Sequence, residues 1–370
     1  MTSHQGGEIV GTRSVTFFPG GFLDTPGACA SLPDLTVAYE TYGTLNAAGD
    51  NAILVCHALT GDAHAAGLSS PDPRSVGWWD PMIGPGRPLD TDRYCVIASN
   101  FLGGCYGTTG PTSINPRTGK RYTMSFPAYT VRDMVHVQKG LLDHLGVKSL
   151  VSVIGGSLGG MQVLEWPLCY PAMVRSIIPI ATAAQHSAWC IGLNDLTRQA
   201  IMMDPAWREG EYDPSAQPAA GLSLARQIAM ITYRSDISFT RRFHRTVAAA
   251  GPGGRERRFE VENYLRYQGE KLVARFDANT YLYITRAMDA HDVAAGRAPL
   301  ADVLGSIRVP SLNVGISSDI LYPAHEQQAI ATALPRSTYR EIDSPDGHDA
   351  FLIAYEQLGP FVHEFLKEIQ

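Results

Sequence analysis

The stretch Gly155-Gly-Ser157-Leu-Gly159 stands between an apolar run, Leu150–Ile154, and a helical pattern that starts at Leu158. A serine in a sharp strand-to-helix turn takes up strained backbone angles, and small neighbours on both sides let the turn close. Such a turn lifts the hydroxyl above a sheet and aims the first N–H groups of the helix, that of Leu158 foremost, at the same point. Free N–H groups and the helix dipole both favour negative charge there. The chemistry this suits is attack on an acyl carbon, with Ser157 carrying the acyl group. A purely structural turn could share the pattern, so the serine's partners carry the weight.

A serine hydroxyl is a poor nucleophile without a base, and in this layout a carboxylate and a histidine follow the serine in that order. Asp319, in Ser317-Ser-Asp-Ile320, comes directly after the apolar run Ser311–Gly315. His348, in Ser344-Pro-Asp-Gly-His-Asp349, lies between the last strand-like run and the last helical pattern. His136, His144, His325 and His363 fall on helical patterns and read as solvated or packed side chains. His57 and His64 flank the loop after Ala52–Cys56 and are candidates for shaping a pocket. Asp343 and Asp346 stand too near His348 for a separate acid loop and read as turn residues. The second donor for a tetrahedral oxygen should come from His57-Ala-Leu-Thr-Gly-Asp62, with the backbone N–H near Leu59 beside that of Leu158.

Short β-rich runs at Thr36–Tyr42, Ala52–Cys56, Tyr94–Ser99, Leu150–Ile154, Val174–Ile180, Ser311–Gly315 and Thr338–Ile342 must hold these groups. Helical spacing at Tyr129–Leu145, Leu158–Leu168, Ala324–Leu334 and Ala350–Ile369 alternates with them. Alternation of this kind predicts a mostly parallel, doubly wound α/β sheet flanked by helices. Between about Ala183 and Pro299 it stops, and the segment is helical with Gly- and Pro-rich breaks. The expected layout is a core of residues 1–182 and 300–370 with a helical lid, 183–299, over the carboxyl ends of the strands, where such sheets bind ligands.

With 45% hydrophobic and 18% charged residues the chain has the balance of a soluble globular enzyme. A net charge of −6 gives no reason to expect a nucleic-acid partner, and Arg241-Arg242 and Arg255–Arg258 read as solvated faces. The polar start, Met1 to Gly7, lacks the form of a secretory signal, and no apolar stretch is long enough to cross a membrane. The six cysteines (29, 56, 95, 105, 169 and 190) form no CxxC pair, which fits free thiols in a reducing cytoplasm. Cys105 and Cys190 are expected to pack rather than line the pocket. No HExxH helix or Cys/His cluster suggests a metal, and no cofactor is expected.

Several longer segments narrow the chemistry. These are His57-Ala-Leu-Thr-Gly-Asp62, Asn100-Phe-Leu-Gly-Gly-Cys-Tyr-Gly-Thr-Thr-Gly-Pro111 and Gly155-Gly-Ser-Leu-Gly-Gly-Met-Gln162, with Tyr264-Leu-Arg-Tyr-Gln-Gly269, Arg275-Phe-Asp-Ala-Asn-Thr-Tyr281 and Gly347-His-Asp-Ala-Phe-Leu352. Together, in this order and through nearly the whole chain, they resemble the homoserine O-acetyltransferase family. That resemblance implies an α/β-hydrolase fold with a helical lid, a homodimer formed through the lid, and ping-pong transfer from acetyl-CoA to L-homoserine in methionine biosynthesis. It also assigns Arg226, in Gly221-Leu-Ser-Leu-Ala-Arg-Gln227, to the substrate carboxylate and Asp349 to its amino group. Without it, Arg226 would read as a surface helix residue and Asp349 as the N-cap of the last helix. Succinyl-CoA as donor and L-serine as acceptor fit the same resemblance. A triad alone would also serve an esterase or thioesterase, and an inactive binding module on this fold is the remaining class.

Overall fold

The computed structural model describes residues 9–17, 32–248 and 258–369. Met1 to Gly7, Cys29 and Arg255 to Arg257 therefore lie outside the described residues.

In chain order the first elements are β1 (Arg13–Phe17), β2 (Leu35–Tyr42), β3 (Ala52–Cys56), β4 (Ile83–Gly84), β5 (Leu89–Asp90) and β6 (Cys95–Ser99). Helix α1 (Val131–His144), β7 (Leu150–Gly156), α2 (Leu158–Cys169) and β8 (Ile177–Ile180) complete the first part of the core. The central strands are apolar at nearly every position because both faces of the sheet are covered. Within β3, Ala52, Leu54 and Cys56 pack on the side of α1 and α2, whereas Ile53 and Val55 pack on the opposite face. Helix α1 begins with a capping box, in which Asp133 N donates to Thr130 Oγ1 and Thr130 N donates back to Asp133 Oδ2.

After β8 the described residues hold five α-helices: α3 (Ala188–Met202), α4 (Ala219–Tyr233), α5 (Asp236–Phe243), α6 (Glu260–Val273) and α7 (Ala278–Asp289). It then returns through α8 (Leu300–Ser306) to β9 (Ser311–Ile316), α9 (Ala324–Ala333), β10 (Ser337–Ile342) and α10 (Tyr355–Glu368). Among the described residues the main sheet has eight strands in the order β1-β2-β6-β3-β7-β8-β9-β10. It is antiparallel at β1-β2 and β2-β6 and parallel from β6 to β10. The carboxyl ends of β3, β7, β8, β9 and β10 thus lie along one rim.

Two expected elements differ. Val174–Ile180 shortens to β8, because Val174 makes only an isolated bridge to Leu150. The single helix expected over Ala350–Ile369 is two pieces, a 3-10 turn Gly347–Leu352 and then α10. The carbonyl of Phe351 accepts from Trp79 Nε1 at 3.1 Å, so a buried indole takes an acceptor that a continuous helix would use. The N-cap of α10 is Ala354, and Asp349 sits in the 3-10 turn; the capping reading of Asp349 does not hold.

Candidate active site

Ser157 sits between β7 and α2 with φ 57° and ψ −126°, a backbone state that costs a non-glycine residue about 1–3 kcal/mol. Two hydrogen bonds hold it there. Ser157 N donates to the Ile180 carbonyl at 3.0 Å, and Thr182 Oγ1 donates to the Ser157 carbonyl at 2.7 Å. The glycines around it answer a close approach: a Cβ on Gly159 would stand 2.1 Å from the Cys56 carbonyl oxygen. The strand end of β3 and the first turn of α2 touch, which brings the Leu59 loop beside the serine.

Asp319 follows β9, and its side chain is shielded from solvent. Its Oδ1 accepts from the backbone N–H groups of Leu321 and Tyr322 at 2.8 and 3.0 Å, which leaves Oδ2 for His348 Nδ1 at 2.7 Å. The imidazole is enclosed by the rings of Tyr322, Phe351 and Tyr233, with centroids 5.3, 5.5 and 5.9 Å away. Burial works to lower the His348 pKa, but the charge and hydrogen bond of Asp319, with Asp349 adding to them, carry it above its ordinary value. With Nδ1 committed to Asp319, Nε2 is the nitrogen left to exchange a proton.

A cavity of about 210 Å³ is lined by Ser157, His348, Leu59, Arg226, Asp349 and Tyr233, among others. Ser157, Leu59, His348, Asp349 and Arg226 thus share one cavity, and Asp319 joins it through its hydrogen bond with His348. Leu158 begins α2, where the first N–H groups have no intrahelical partner. Arg226 is half-buried, with its guanidinium carbon 5.2 Å from the centroid of the Tyr233 ring. Asp349 shares this cavity, and burial raises its carboxyl pKa against the lowering influence of Arg234, Arg226 and His348. A second cavity of about 30 Å³ adjoins Ser157 and Leu59 and is closed by Cys190, Tyr322, His186 and residues of α3, α4 and α7.

Neither His57 nor His64 lines these cavities. His57 is buried against Phe101, and desolvation lowers its pKa to about 4 despite a hydrogen bond with the Ala58 carbonyl. His64 places its two ring nitrogens on acceptors, Glu40 Oε2 at 3.0 Å and the Ser75 carbonyl at 2.8 Å, bracing the loop from behind. His136 and His144 lie on α1, His325 on α9 and His363 on α10. Asp343 and Asp346 lie in the last loop, and Asp346 pairs with Arg234. Cys190 is buried and its thiol donates to the Leu321 carbonyl at 3.2 Å, while burial pushes the Cys105 thiol up to about 12. Arg242 lies over the rings of Phe243 and Tyr264.

Residue spacing did not single out Arg234, Tyr233, Tyr322 or Trp78. Arg275, two residues after α6, ties that end of the helix to the Leu59 loop, with Nη1 donating to the Thr60 carbonyl at 2.7 Å and to the Tyr106 hydroxyl at 2.6 Å. Among the described residues, no group of three or more His, Cys, Asp or Glu side chains is placed to hold a metal ion. No helix among them is long and apolar enough to cross a membrane.

A family profile described as alpha/beta hydrolase fold matches residues 51–355. A homoserine O-acetyltransferase of Moorella thermoacetica is 55% identical over 346 residues, covering 92% of this chain and 92% of that protein. Among solved structures, a homoserine O-acetyltransferase from Bacillus anthracis superposes with a TM-score of 0.90 at 30% identity, covering 97% of this chain and 98% of the other. The crystal structure of esterase E22 superposes with a TM-score of 0.88 at 31% identity, covering 97% of this chain and all of the other (100%). Identity of this degree over nearly the full length of both chains, on a sheet and a site of this form, is inherited rather than convergent: the chain belongs to the homoserine O-acetyltransferase family of α/β-hydrolase-fold enzymes.

Proposed function

We propose that this enzyme moves an acetyl group from acetyl-CoA to the side-chain hydroxyl of L-homoserine through an acyl-Ser157 intermediate, giving O-acetyl-L-homoserine for methionine biosynthesis. One observation carries the reading. A cavity that holds a serine and an Asp-paired histidine also presents a guanidinium, Arg226, and a carboxylate, Asp349. Those charges complement the α-carboxylate and α-ammonium of an amino acid, and a guanidinium can grip a carboxylate with two hydrogen bonds.

In the proposed cycle, Ser157 Oγ attacks the thioester carbonyl while its proton passes to His348 Nε2. The oxyanion rests on the N–H groups of Leu158 and Leu59, each such donor being worth about 3 kcal/mol of barrier. The C–S bond breaks and the proton on Nε2 leaves with the thiol. Homoserine then enters, its hydroxyl gives a proton to Nε2 as its oxygen attacks the acyl carbon, and Ser157 Oγ leaves with that proton. Asp319 keeps the imidazole oriented throughout. The helical segment 183–299 acts as a lid that keeps water from the acyl-enzyme, and the charged clamp positions the alcohol so that transfer outruns hydrolysis. No metal or cofactor takes part, and acetyl-CoA is a co-substrate.

A homodimer through the lid belongs to the same proposal. Trp189, Leu196 and Met203 on or next to α3, Leu224 and Ile231 on α4, and Ile237 on α5 are exposed apolar side chains that a second copy would cover. A cytoplasmic setting fits a biosynthetic enzyme whose donor is a CoA thioester.

A plain esterase needs the triad but not the Arg226 and Asp349 pair, and the likeness to esterase E22 extends to the fold that both readings share. The test is thiol release from acetyl-CoA or succinyl-CoA with homoserine, serine or no amino acid. Fast release with acetyl-CoA and homoserine together is the expected result. Equal release without an amino acid would make the enzyme a thioesterase, and release confined to succinyl-CoA or serine would overturn the substrate assignment.

A further inference from the structure

Two arginines of the lid act on the charge of Asp349, and only one of them lines the cavity. Arg226 lines the cavity that holds Ser157. Arg234, which follows the last residue of α4, is absent from that lining. Its Nε lies 3.4 Å from Asp349 Oδ2 and its Nη1 lies 3.3 Å from Asp346 Oδ1. The Arg234 and Asp349 side chains are 19% and 20% exposed, so solvent screens the pair only in part.

The local backbone fixes this arrangement from both sides. Ser235 Oγ donates to the Pro345 carbonyl, and Ser238 Oγ donates to Asp346 Oδ1 at 3.4 Å. Gly347 has φ +69°, and a Cβ there would stand 2.6 to 2.8 Å from the backbone of Arg234 and Ser235. Gly347 N donates to Ser318 Oγ at 3.0 Å, and Ser318 Oγ donates to the Ser344 carbonyl at 2.5 Å. The α4–α5 junction of the lid is therefore latched to the loop that carries His348 and Asp349.

The latch also sets the charge balance beside the cavity. Asp349 and Asp346 share one guanidinium, which leaves one net negative charge beside the cavity. Arg226 supplies one positive charge on the cavity wall, so the pair matches a zwitterion. A carboxylate buried without a cation would take up a proton once the acceptor left, and a neutral acid attracts an ammonium poorly. We infer that Arg234 is a positioning residue for the acceptor, which holds the Asp349 carboxylate in place and ionised from outside the cavity. The inference rests on the assignment of Asp349 to the acceptor amine. The groups facing Asp349 are Arg234, Arg226 and His348, which favour its charged form, and Asp319, which opposes it; Tyr233 also lies within reach of its charge.

The test uses two inhibitors of the full-length enzyme, L-2-aminobutyrate, which has the ammonium, and butyrate, which lacks it. Inhibition constants are compared with wild type at about pH 6 and about pH 8.5. For Arg234→Met, the constant for L-2-aminobutyrate should rise several-fold at the lower pH, by at most about tenfold for each unit by which loss of the guanidinium raises the Asp349 pKa, and return to within about twofold at the higher pH. Butyrate should show no such pH-dependent rise, and Arg234→Lys should restore the wild-type pattern. A rise of equal size for both inhibitors at both pH values, or no rise for either, overturns the inference. An inhibition constant belongs to the folded fraction, so reduced yield does not blur it, and Arg234→Gln provides a second variant. Asp349→Asn separates the two claims. If it leaves L-2-aminobutyrate binding unchanged, the assignment of Asp349 fails. If it weakens that binding while the Arg234 variants show no pH-dependent loss, the role of Arg234 alone fails.

Discussion

His348 Nδ1 and Asp319 Oδ2 lie 2.7 Å apart, and the other oxygen of the same carboxylate is held by the N–H groups of Leu321 and Tyr322. The carboxylate cannot rotate without giving up one of these contacts, so the ring is fixed with Nε2 available for the reaction. Asp319→Asn should keep the fold and the backbone hydrogen bonds. It should lower kcat by about 10⁴, because an amide that donates to Nδ1 selects the wrong tautomer. Steady-state kinetics with circular dichroism checks this; a loss below tenfold would remove Asp319 from the triad.

The same pair sets a pH dependence. Burial opposes protonation of His348, but Asp319 and Asp349 raise its pKa above the ordinary 6.5. Base catalysis needs the neutral ring, so kcat/KM for thiol release should rise with pH through a midpoint above about 6.5. The stability linked to this group has the sign of a raised pKa. It is complete below the unfolded value and lost as pH rises through the folded one. A kinetic midpoint below about 6 would contradict the account.

The turn at Ser157 leaves no room for a side chain at Gly159, where a Cβ would meet the Cys56 carbonyl at 2.1 Å. Gly159→Ala should cost at least about 1–3 kcal/mol, since β3 or α2 must shift. Because the shift moves the Leu59 loop relative to Ser157, activity should fall further than stability. Thermal melting beside acyl-enzyme burst amplitude and rate tests this, and a variant with wild-type melting and burst would refute the close packing.

A polar chain joins α3 and α7 to Tyr322, whose backbone N–H holds Asp319. Arg198 Nη1 lies 2.6 Å from Asp289 Oδ2, Asp289 Oδ1 lies 3.2 Å from His186 Nδ1, and His186 Nε2 lies 3.0 Å from the Tyr322 hydroxyl. Arg198→Met should cost about 2 kcal/mol, less than the roughly 3–5 of a fully buried pair because solvent reaches part of it. Desolvation opposes the charge on Asp289, but His186, Asn194 and Arg198 hold its pKa below the ordinary value. Its contribution is therefore present above the unfolded value and lost as pH falls through the folded one. The stability difference between Arg198→Met and wild type should narrow at acid pH in chemical denaturation; a constant difference would show that Asp289 is not the partner.

The candidate reacting groups were legible in the sequence where local geometry and chain order encode them. Gly155-Gly-Ser157-Leu-Gly159 is a local solution to a turn, and Asp319 and His348 stand at strand ends that an apolar run reveals. Strand β1 was not legible, since Arg13–Phe17 is a mostly exposed edge without a buried run. The break before α10 was hidden because it depends on Trp79, 272 residues away from Phe351 in sequence. Arg234 was hidden for the same kind of reason. It lies beyond the periodic part of α4, and its partners Asp346 and Asp349 meet it only once the end of α4 has packed on the last loop.

The most direct test of the proposed double displacement is mass spectrometry of the enzyme quenched after mixing with acetyl-CoA alone. An acetyl group on the peptide containing Ser157 is expected, lost within one turnover when homoserine is added and absent from Ser157→Ala. Thiol release that requires both substrates together, with Ser157 unmodified at every time point, would contradict it.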